Sequence, residues 1–169
     1  MIALQVTSLK NLMNQLLIGD TFDCFLLEEA IIRTGVTYTI DGHVNREFYA
    51  DVNTFDSTNA SADIAACPYP LQPWSEAKGL CFDLIKGKRT PLYFKFVLQV
   101  KPDCFGIFLS DIPEQINALV LTIKYDGTKA LLTTGTSYKT FVLDKEADRI
   151  WDTSLTKYLT EKEIPYEVL

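Results

Sequence analysis

The chain has 169 residues, of which 47% are hydrophobic and 22% charged, and its formal net charge at pH 7 is −6. This size and composition predict a folded domain with a sizeable core and argue against intrinsic disorder. The negative charge argues against non-specific binding to nucleic acid, and no apolar run approaches the roughly 20 residues that span a bilayer.

Cysteine and histidine usage limits the kinds of site that the chain can hold. Five residues carry a thiol or an imidazole: Cys24, Cys67, Cys81, Cys104 and His43. Since no cysteines form a CxxC pair and only one histidine is present, a zinc site of the usual spacing is close to excluded, and we expect neither metal nor cofactor. Residues 1–6 lack the basic start and apolar core of a signal peptide. We therefore predict a cytoplasmic protein with reduced cysteines.

The amino-terminal part of the chain is predicted to begin with a strand, a helix and a second strand. Residues 1–6 form the first strand. Apolar residues recur at helical spacing over 9–17, and Thr7 or Ser8 is suited to cap that helix. Residues 22–33 are apolar enough to form a long buried strand.

A hairpin signal and a polar stretch follow. The pair Asp41-Gly42 readily adopts the positive φ of a two-residue turn, so residues 36–40 and 43–49 are predicted to pair around it. Residues 50–73 are polar and then rich in proline. Because long structureless segments are uncommon inside a compact domain, we predict a long flexible surface loop here, or else a functional one.

A second helix and the clearest strand come next. Ser75 is predicted to cap a helix whose apolar stripe ends at Ile85 and whose stop signal is Gly87. Pro91 then opens a strand over 92–100, in which apolar side chains at even positions alternate with mostly polar ones. This alternation is typical of an antiparallel sheet with one face in water.

The carboxyl-terminal half has the pattern of a β-meander, a helix and an edge strand. Meander strands are predicted over 119–125, 128–134 and 138–143, with turns at Asp126-Gly127 and at Gly135-Thr136-Ser137. Asp144 is suited to cap a helix with a buried stripe from Ala147 to Leu159, and 166–169 is predicted as the edge strand.

These elements together predict an α+β fold. We expect a mainly antiparallel sheet of about seven to nine strands, packed with three amphipathic helices. No repeat or linker divides the chain, so a single domain over 1–169 is predicted.

Charge is spread unevenly along the chain. Residues 1–83 carry a net charge of −7, residues 84–143 carry +4, and residues 144–169 carry −3. One interpretation is that these segments neutralise one another across the folded surface. The other is that the basic segment binds an acidic protein partner or a small anion.

The basic segment is densest around Gly87. Five basic side chains and no acidic one lie between residues 84 and 102. The candidate anion-binding residues are Lys86, Lys88, Arg89, Thr90 and Lys95. Cations and a hydroxyl around a glycine suit phosphate or carboxylate, since arginine can grip an oxyanion bidentately. Alternatively, lysines after a helix complement its negative end. A phosphate loop is excluded, because Phe82 stands where that motif needs a glycine.

A second candidate site is the threonine-rich segment 133–140. Its candidate residues are Thr134, Thr136, Ser137 and Lys139. Hydroxyl and ammonium groups about a tight turn could supply several hydrogen bonds to a ligand. Threonine is also a common strand residue, and Gly-Thr-Ser is ordinary turn chemistry, so a structural interpretation stays open.

The acidic residues and the histidine are weaker signals. Glu28 and Glu29 are adjacent on a predicted strand, so their side chains are expected on opposite faces, with Glu28 on the buried one. A stripe of carboxylates on the last helix is expected to be solvated: Asp144, Asp148 and Asp152. His43 is expected to be exposed, and no nucleophile motif of a known kind accompanies it.

Several strings occur together in this chain: Phe22 to Leu27, Glu29-Ala30, Thr39 to Gly42, Leu84 to Leu92, Thr133 to Ser137, Lys139 to Phe141 and Leu143 to Lys145. With them the chain resembles a family of uncharacterised proteins from clostridia and related Firmicutes, over nearly its whole length except 50–73. The resemblance implies a bacterial, cytoplasmic, single-domain protein. Because that family is one of unknown function, it implies no catalytic residues.

Two functions from different classes are consistent with the sequence. The first is a non-enzymatic binding or adaptor domain, whose basic loop 86–101 meets an acidic protein or a small anion, with no nucleic acid or membrane partner. The second is an enzyme of unrecognised type, with segment 133–140 at its site and loop 50–73 as a lid. The first is favoured because no acid–base pair or nucleophile is visible.

Overall fold

The structure is a computed structural model that describes residues 1–49, 68–110 and 114–169. These residues form eight strands: β1 (Ala3–Val6), β2 (Phe25–Arg33), β3 (Thr37–Asp41), β4 (Gln72–Pro73), β5 (Tyr93–Val100), β6 (Ile116–Tyr125), β7 (Ala130–Tyr138) and β8 (Tyr166–Val168). They also form five α-helices: α1 (Leu9–Leu17), α2 (Arg46–Tyr49), α3 (Trp74–Ile85), α4 (Phe105–Phe108) and α5 (Glu146–Glu161).

All eight strands belong to one antiparallel sheet. Its order is β3-β2-β5-β6-β7-β1-β8, and β4 pairs with the start of β2 beside β3. The predicted α+β class is therefore confirmed, with α2 and α4 added to the three predicted helices. Because β1 lies between β7 and β8, the first and last strands of the chain meet in the sheet.

The three long helices, α1, α3 and α5, pack on one face of the sheet. Their buried side chains and the inward side chains of the strands form one hydrophobic cluster. Its largest fully buried members include Trp74 of α3, Trp151 of α5 and Phe96 of β5. Even positions of β5 are buried and odd positions are half-buried, so the predicted alternation is confirmed. The opposite face of the sheet carries polar groups such as Lys95 and Thr122.

A β-bulge in β2 changes the face that its acidic residues occupy. The register against β5 shifts between Leu27 and Glu29, so Glu28 is an extra residue in the ladder. The Glu28 carboxylate accepts a hydrogen bond from Gln99 at 2.7 Å. The Glu29 carboxylate lies 3.0 Å from the Lys95 ammonium. Both partners are on the outer face of β5, so the expectation that Glu28 faces the core is wrong, because a bulge breaks strict alternation.

The Asp41-Gly42 pair is not a hairpin turn. The hairpin forms earlier, where residues 34–36 join β2 to β3. The Gly42 amide donates to the Glu28 carbonyl at 2.9 Å, and a Cβ at Gly42 would lie 1.8 Å from the Leu27 carbonyl oxygen. The glycine therefore allows a close approach of two backbones instead of a turn. Beyond it the chain continues into α2 rather than into a hairpin strand.

The two predicted turns of the meander have different outcomes. The turn at Asp126-Gly127 is confirmed: the Asp126 carboxylate accepts two backbone N–H groups, and Gly127 has a φ of +96°. The turn at 135–137 is wrong, because β7 continues through these residues to Tyr138 while paired with β6. Cross-strand hydrogen bonds thus override the local turn chemistry. The strand predicted over 138–143 is also wrong, since β7 ends at Tyr138, the first residue of that predicted strand.

Part of the predicted loop 50–73 is structured. Residues 50–67 lie outside the described part of the chain. Leu71 is buried and forms a β-bridge with His43, and Gln72–Pro73 form β4. The predicted loop therefore extends too far at its carboxyl end, because β2 offers this segment an unpaired edge.

One of the three predicted helix caps is confirmed: the Ser8 hydroxyl accepts an N–H at the start of α1. The prediction that Asp144 caps α5 is wrong by one residue, because Lys145 is the N-cap; the Asp144 carboxylate accepts the Glu146 N–H from the position before it. Helix α3 begins at Trp74, so Ser75 lies inside it instead of capping it. In the described part of the chain, no helix has both the length and the apolar character needed to cross a membrane.

Candidate functional site

A groove of about 330 Å³ lies between α1 and the segment 85–91, which joins α3 to β5. Much of its lining is apolar and comes from four elements of the fold: Met13, Leu17, Ile85, Phe94 and Tyr125. Phe94 and Tyr125 stack on each other, with ring centroids 5.1 Å apart. The groove therefore has an ordered hydrophobic floor and lies within the usual size range of ligand pockets, about 300–1,000 Å³.

The groove has a basic rim. Four basic residues and no acidic one are found among its described lining residues: Lys10, Lys86, Lys88 and Arg89. The Lys86 ammonium pairs with Asp83 of α3 at 2.8 Å. Lys88 and Arg89 are exposed and form no ion pair with any residue that the structure describes. Their charges are therefore available to a ligand at the mouth of the groove.

Local sequence places these charges at the rim. Helix α3 ends at Ile85, and the Lys86 amide donates to the Phe82 carbonyl at 2.8 Å. Gly87 then has a φ of +148°, which favours glycine and turns the chain away from the helix. Lys86 remains next to the negative end of α3, where a cation is stabilising, as the structural interpretation expects. Lys88 comes after the turn and belongs to the open loop.

Apolar residues are exposed beside the basic rim. Ile18, which follows α1 and lines the groove, is 61% exposed. Leu92, which follows the segment 85–91 on the opposite side of the groove from α1, is 62% exposed. Large apolar side chains next to unpaired cations are characteristic of a surface that contacts another molecule.

The structure divides the basic segment that the sequence presents as continuous. Thr90 lines the groove with Lys88 and Arg89. Lys95 lies on the outer face of the sheet and is paired with Glu29. Lys101 lies at the far end of β5, 5.8 Å from the centre of the Tyr69 ring. The segment 86–101 is therefore not one surface, because alternation along β5 separates its members.

The threonine-rich residues do not converge on a common point. Thr134 is buried under α5, where its hydroxyl accepts the Ile2 N–H at 2.8 Å and donates to Asp152. Ser137 points to the other face and lies 3.3 Å from the Asn117 amide. Alternating side chains of one strand cannot line one pocket. Asp152 is correspondingly half-buried, so the expectation of a fully solvated carboxylate stripe is wrong at this residue.

Thr136 shares the helix-covered face of β7 with Thr134, where its hydroxyl is buried. Lys139 is exposed beyond the end of β7. The groove borders the start of β7, near Tyr125, whereas Lys139 follows its last residue. At about 3.4 Å per residue, β7 separates the two candidate sites by roughly 25–30 Å. The structure therefore does not bring them together.

His43 lies in a second cleft, of about 500 Å³, lined also by Asp41, Tyr69 and Lys101. Its Nδ1 is 2.6 Å from the Asp41 carboxylate, and both side chains are mostly in water. The backbone N–H of His43, followed by its ring, lowers the pKa of Asp41. An exposed pair bonded two residues apart is typical of turn chemistry, so we assign it no catalytic role.

Two of the described thiols, Cys24 and Cys81, are not activated nucleophiles. Burial raises the pKa of Cys24 to about 11 and that of Cys81 to about 12. Both therefore remain thiols at neutral pH, whereas thiolates are the reactive form. Among residues 1–49, 68–110 and 114–169, no three His, Cys, Asp or Glu side chains form a group that could hold a metal ion.

Sequence reasoning missed the contribution of α1 to the groove. Lys10 and Ile18 lie outside the predicted apolar stripe of α1, and Met13 lies inside it. Only the packing of α1 against α3 shows that Met13 is half-buried at the edge of the core and lines the groove. The one weak signal in the sequence was Ile18, a large apolar residue at the end of the helix and outside its apolar stripe.

Comparison with known proteins identifies a family but no activity. No curated protein and no solved structure matches this chain. A family of unknown function, DUF5721, matches residues 15–167, which include the last three residues of α1, the basic loop, strands β2 to β7 and all but the last residue of β8. The predicted membership of a family of unknown function is thereby confirmed, and the chain belongs to DUF5721.

Proposed function

We propose that this chain is a non-enzymatic binding module whose groove, between α1 and residues 85–91, receives an acidic, apolar segment of a partner protein. The observation that carries the proposal is the combination of a hydrophobic floor with a rim of Lys10, Lys86, Lys88 and Arg89 that contains no acid. This proposal narrows the expected acidic partner to one whose acidic residues lie next to large apolar ones.

The apolar floor favours a peptide segment over a small inorganic anion. Phosphate or sulfate could use the cations but not the partly exposed apolar surface of Met13 and Ile85. A Phe or Leu side chain transferred into such a groove gains about 1.5–3 kcal/mol from burial. Neighbouring carboxylates would add modest binding energy at the exposed rim and would accelerate association. An acidic, apolar peptide would therefore contact both the apolar floor and the basic rim of the groove.

Selection from a phage-displayed library of random short peptides tests the proposal. The selected peptides are expected to contain Phe or Leu next to Asp or Glu. A selected peptide, labelled with fluorescein and titrated by anisotropy, should bind about tenfold or more weakly to Lys88→Glu/Arg89→Glu, a loss of about 1.4 kcal/mol. Its affinity should also fall as salt is raised, because exposed charges are screened.

The matched control is Arg149→Glu/Lys162→Glu. It makes the same two charge reversals at exposed positions on α5 and directly after it. Peptide affinity should remain within about twofold of the wild type, because these residues do not line the groove. Equal losses in both double variants would show a non-specific charge effect and would refute the proposed function.

We further propose a cytoplasmic protein of clostridia or related Firmicutes. The support is the resemblance of the strings around Gly42, Gly87 and Thr134, together with free thiols at Cys24, Cys81 and Cys104. Fractionation of such a bacterium, followed by immunoblotting with an antibody to the chain, should place it in the cytoplasm. Recovery in the culture medium or at the cell surface would contradict this proposal.

A further inference from the structure

Two large apolar side chains project from the segment that joins β7 to α5. Phe141 is 90% exposed and Leu143 is 86% exposed, the two most exposed large hydrophobic side chains among the described residues. Exposing both side chains to water is unfavourable relative to burial, so a segment of this kind is typical of a contact surface.

The segment is held in place by the residues around its exposed side chains. The Lys139 amide donates to the Gln115 carbonyl at 2.8 Å. Val142, between the two exposed residues, lines a small cavity together with Tyr138 and Ile150. The Asp144 carboxylate then accepts the Glu146 N–H at 2.9 Å, just before α5 begins. Phe141 and Leu143 are thus presented outward from an anchored backbone, which limits the ordering entropy lost on binding.

The charge of this segment is opposite to that of the groove. Residues 141–148 contain three acids and one base, so large apolar side chains stand directly before carboxylates: Asp144, Glu146 and Asp148. This is the chemistry that the proposed function assigns to the occupant of the groove. We infer that segment 141–148 of one copy of this chain occupies the groove of a second copy. The inference rests on the proposed function and names its partner.

The groove and segment 141–148 lie at opposite ends of the molecule. The groove borders the end of the sheet where β6 ends and β7 begins, and segment 141–148 follows the opposite end of β7. About 25–30 Å separates the groove from the segment, so one molecule cannot place its own segment in its own groove. Repeated head to tail, this contact produces rings or open chains; made reciprocally by two antiparallel copies, it produces a two-fold dimer.

Complementation between two variants tests this inference. Phe141→Ser/Leu143→Ser retains the groove and loses the segment, whereas Lys88→Glu/Arg89→Glu retains the segment and loses the groove. All four positions are exposed, so both variants are expected to fold. In sedimentation equilibrium the wild type should associate with rising concentration, and each variant alone should remain at the 19.1 kDa monomer mass. An equimolar mixture should form a heterodimer of twice that mass, since one intact contact remains.

Three outcomes overturn the inference. A monomeric wild type at every concentration refutes it, as does association that persists in either variant. Failure of the mixture to form heterodimer, when the wild type does associate, shows that the segment and the groove do not contact each other. If selected peptides bind in a Lys88- and Arg89-dependent manner while copies of the chain do not associate, only this inference fails. If no peptide binds the groove, the proposed function fails as well.

Discussion

Two adjacent backbone features determine how β2 meets its neighbours. The bulge at Glu28 moves both acidic side chains of this strand to the outer face, and Gly42 packs directly against the Leu27 carbonyl. The Gly42 amide reaches the carbonyl of the bulged residue, so the two features depend on each other. A side chain at position 42 would therefore disturb the pairing of β2 with β3.

The substitution Gly42→Ala is expected to destabilise the protein by about 2–3 kcal/mol, because its Cβ must displace backbone atoms of Leu27. Urea denaturation followed by circular dichroism measures the change. Gly79→Ala is the control: its Cβ meets nothing within 4 Å, and alanine in helix α3 should stabilise by roughly 0.5–1 kcal/mol. Equal effects of the two substitutions would contradict the close approach at Gly42.

Burial of Cys81 predicts a loss of stability at high pH. Its pKa is raised from 9.0 to about 12 in the folded protein, so between these values the unfolded chain releases a proton that the folded chain keeps. The free energy of unfolding should therefore fall with rising pH over this window, by up to about 1.4 kcal/mol per pH unit for one group. Cys24 contributes in the same direction up to about pH 11.

Urea denaturation at several pH values above 8 measures this slope. Cys81→Ala removes the titrating thiol, so its slope should be shallower than that of the wild type, whatever the offset caused by the smaller side chain. An identical slope in the variant would show that Cys81 does not titrate differently in the two states.

At the scale of elements, α5 is joined to the sheet by polar as well as apolar contacts. Trp151 packs in the core and its indole N–H donates to the Val120 carbonyl of β6 at 3.1 Å. Thr134 of β7 connects the Ile2 amide with the Asp152 carboxylate of α5. These bonds involve partially buried groups, for which loss of a partner is costly. The contact between α5 and β7 should therefore depend on the Thr134 hydroxyl.

Thr134→Val is expected to destabilise the protein by about 1–3 kcal/mol, because valine preserves shape but leaves the Ile2 amide and the Asp152 carboxylate without this partner. Thr133→Val is the matched control on the opposite face of β7, with an expected change within about 0.5 kcal/mol. Thermal unfolding monitored by circular dichroism compares the two variants. A larger effect of the control would refute the assigned role of Thr134.

At the scale of the whole molecule, the sheet order predicts cooperative unfolding. Trp74 and Trp151 are fully buried, and they lie on α3 and α5, which are far apart in sequence but contribute to one hydrophobic cluster. If the chain is a single domain, as its sequence predicts, both reporters should follow the same transition. Because β1 pairs with both β7 and β8, the complete sheet needs its first strand as well as its last one.

The variants Trp74→Phe and Trp151→Phe test this prediction, since each retains one tryptophan. In each variant, the urea transition followed by fluorescence should coincide with the transition followed by far-ultraviolet circular dichroism. Fluorescence and circular dichroism midpoints that differ in either variant would show that the two parts of the core unfold separately.

Periodicity in the amino-acid sequence was sufficient to predict the elements whose structure depends on near neighbours. The alternation over 92–100 predicted β5, and the apolar stripe from Ala147 to Leu159 predicted the buried face of α5. The side-chain period of a strand or helix is a local property, and so is the cap at Ser8. The α+β class follows from these patterns.

Only the tertiary structure decided features that depend on residues distant in sequence. The bulge at Glu28 depends on the register of β5, and β7 continues as a strand through 135–137 because β6 supplies its hydrogen bonds. The groove exists because α1 packs beside the loop after α3, more than sixty residues later in the chain. A linear sequence shows the basic residues around Gly87, but hydrophobic packing between distant elements is what places an apolar floor beneath them.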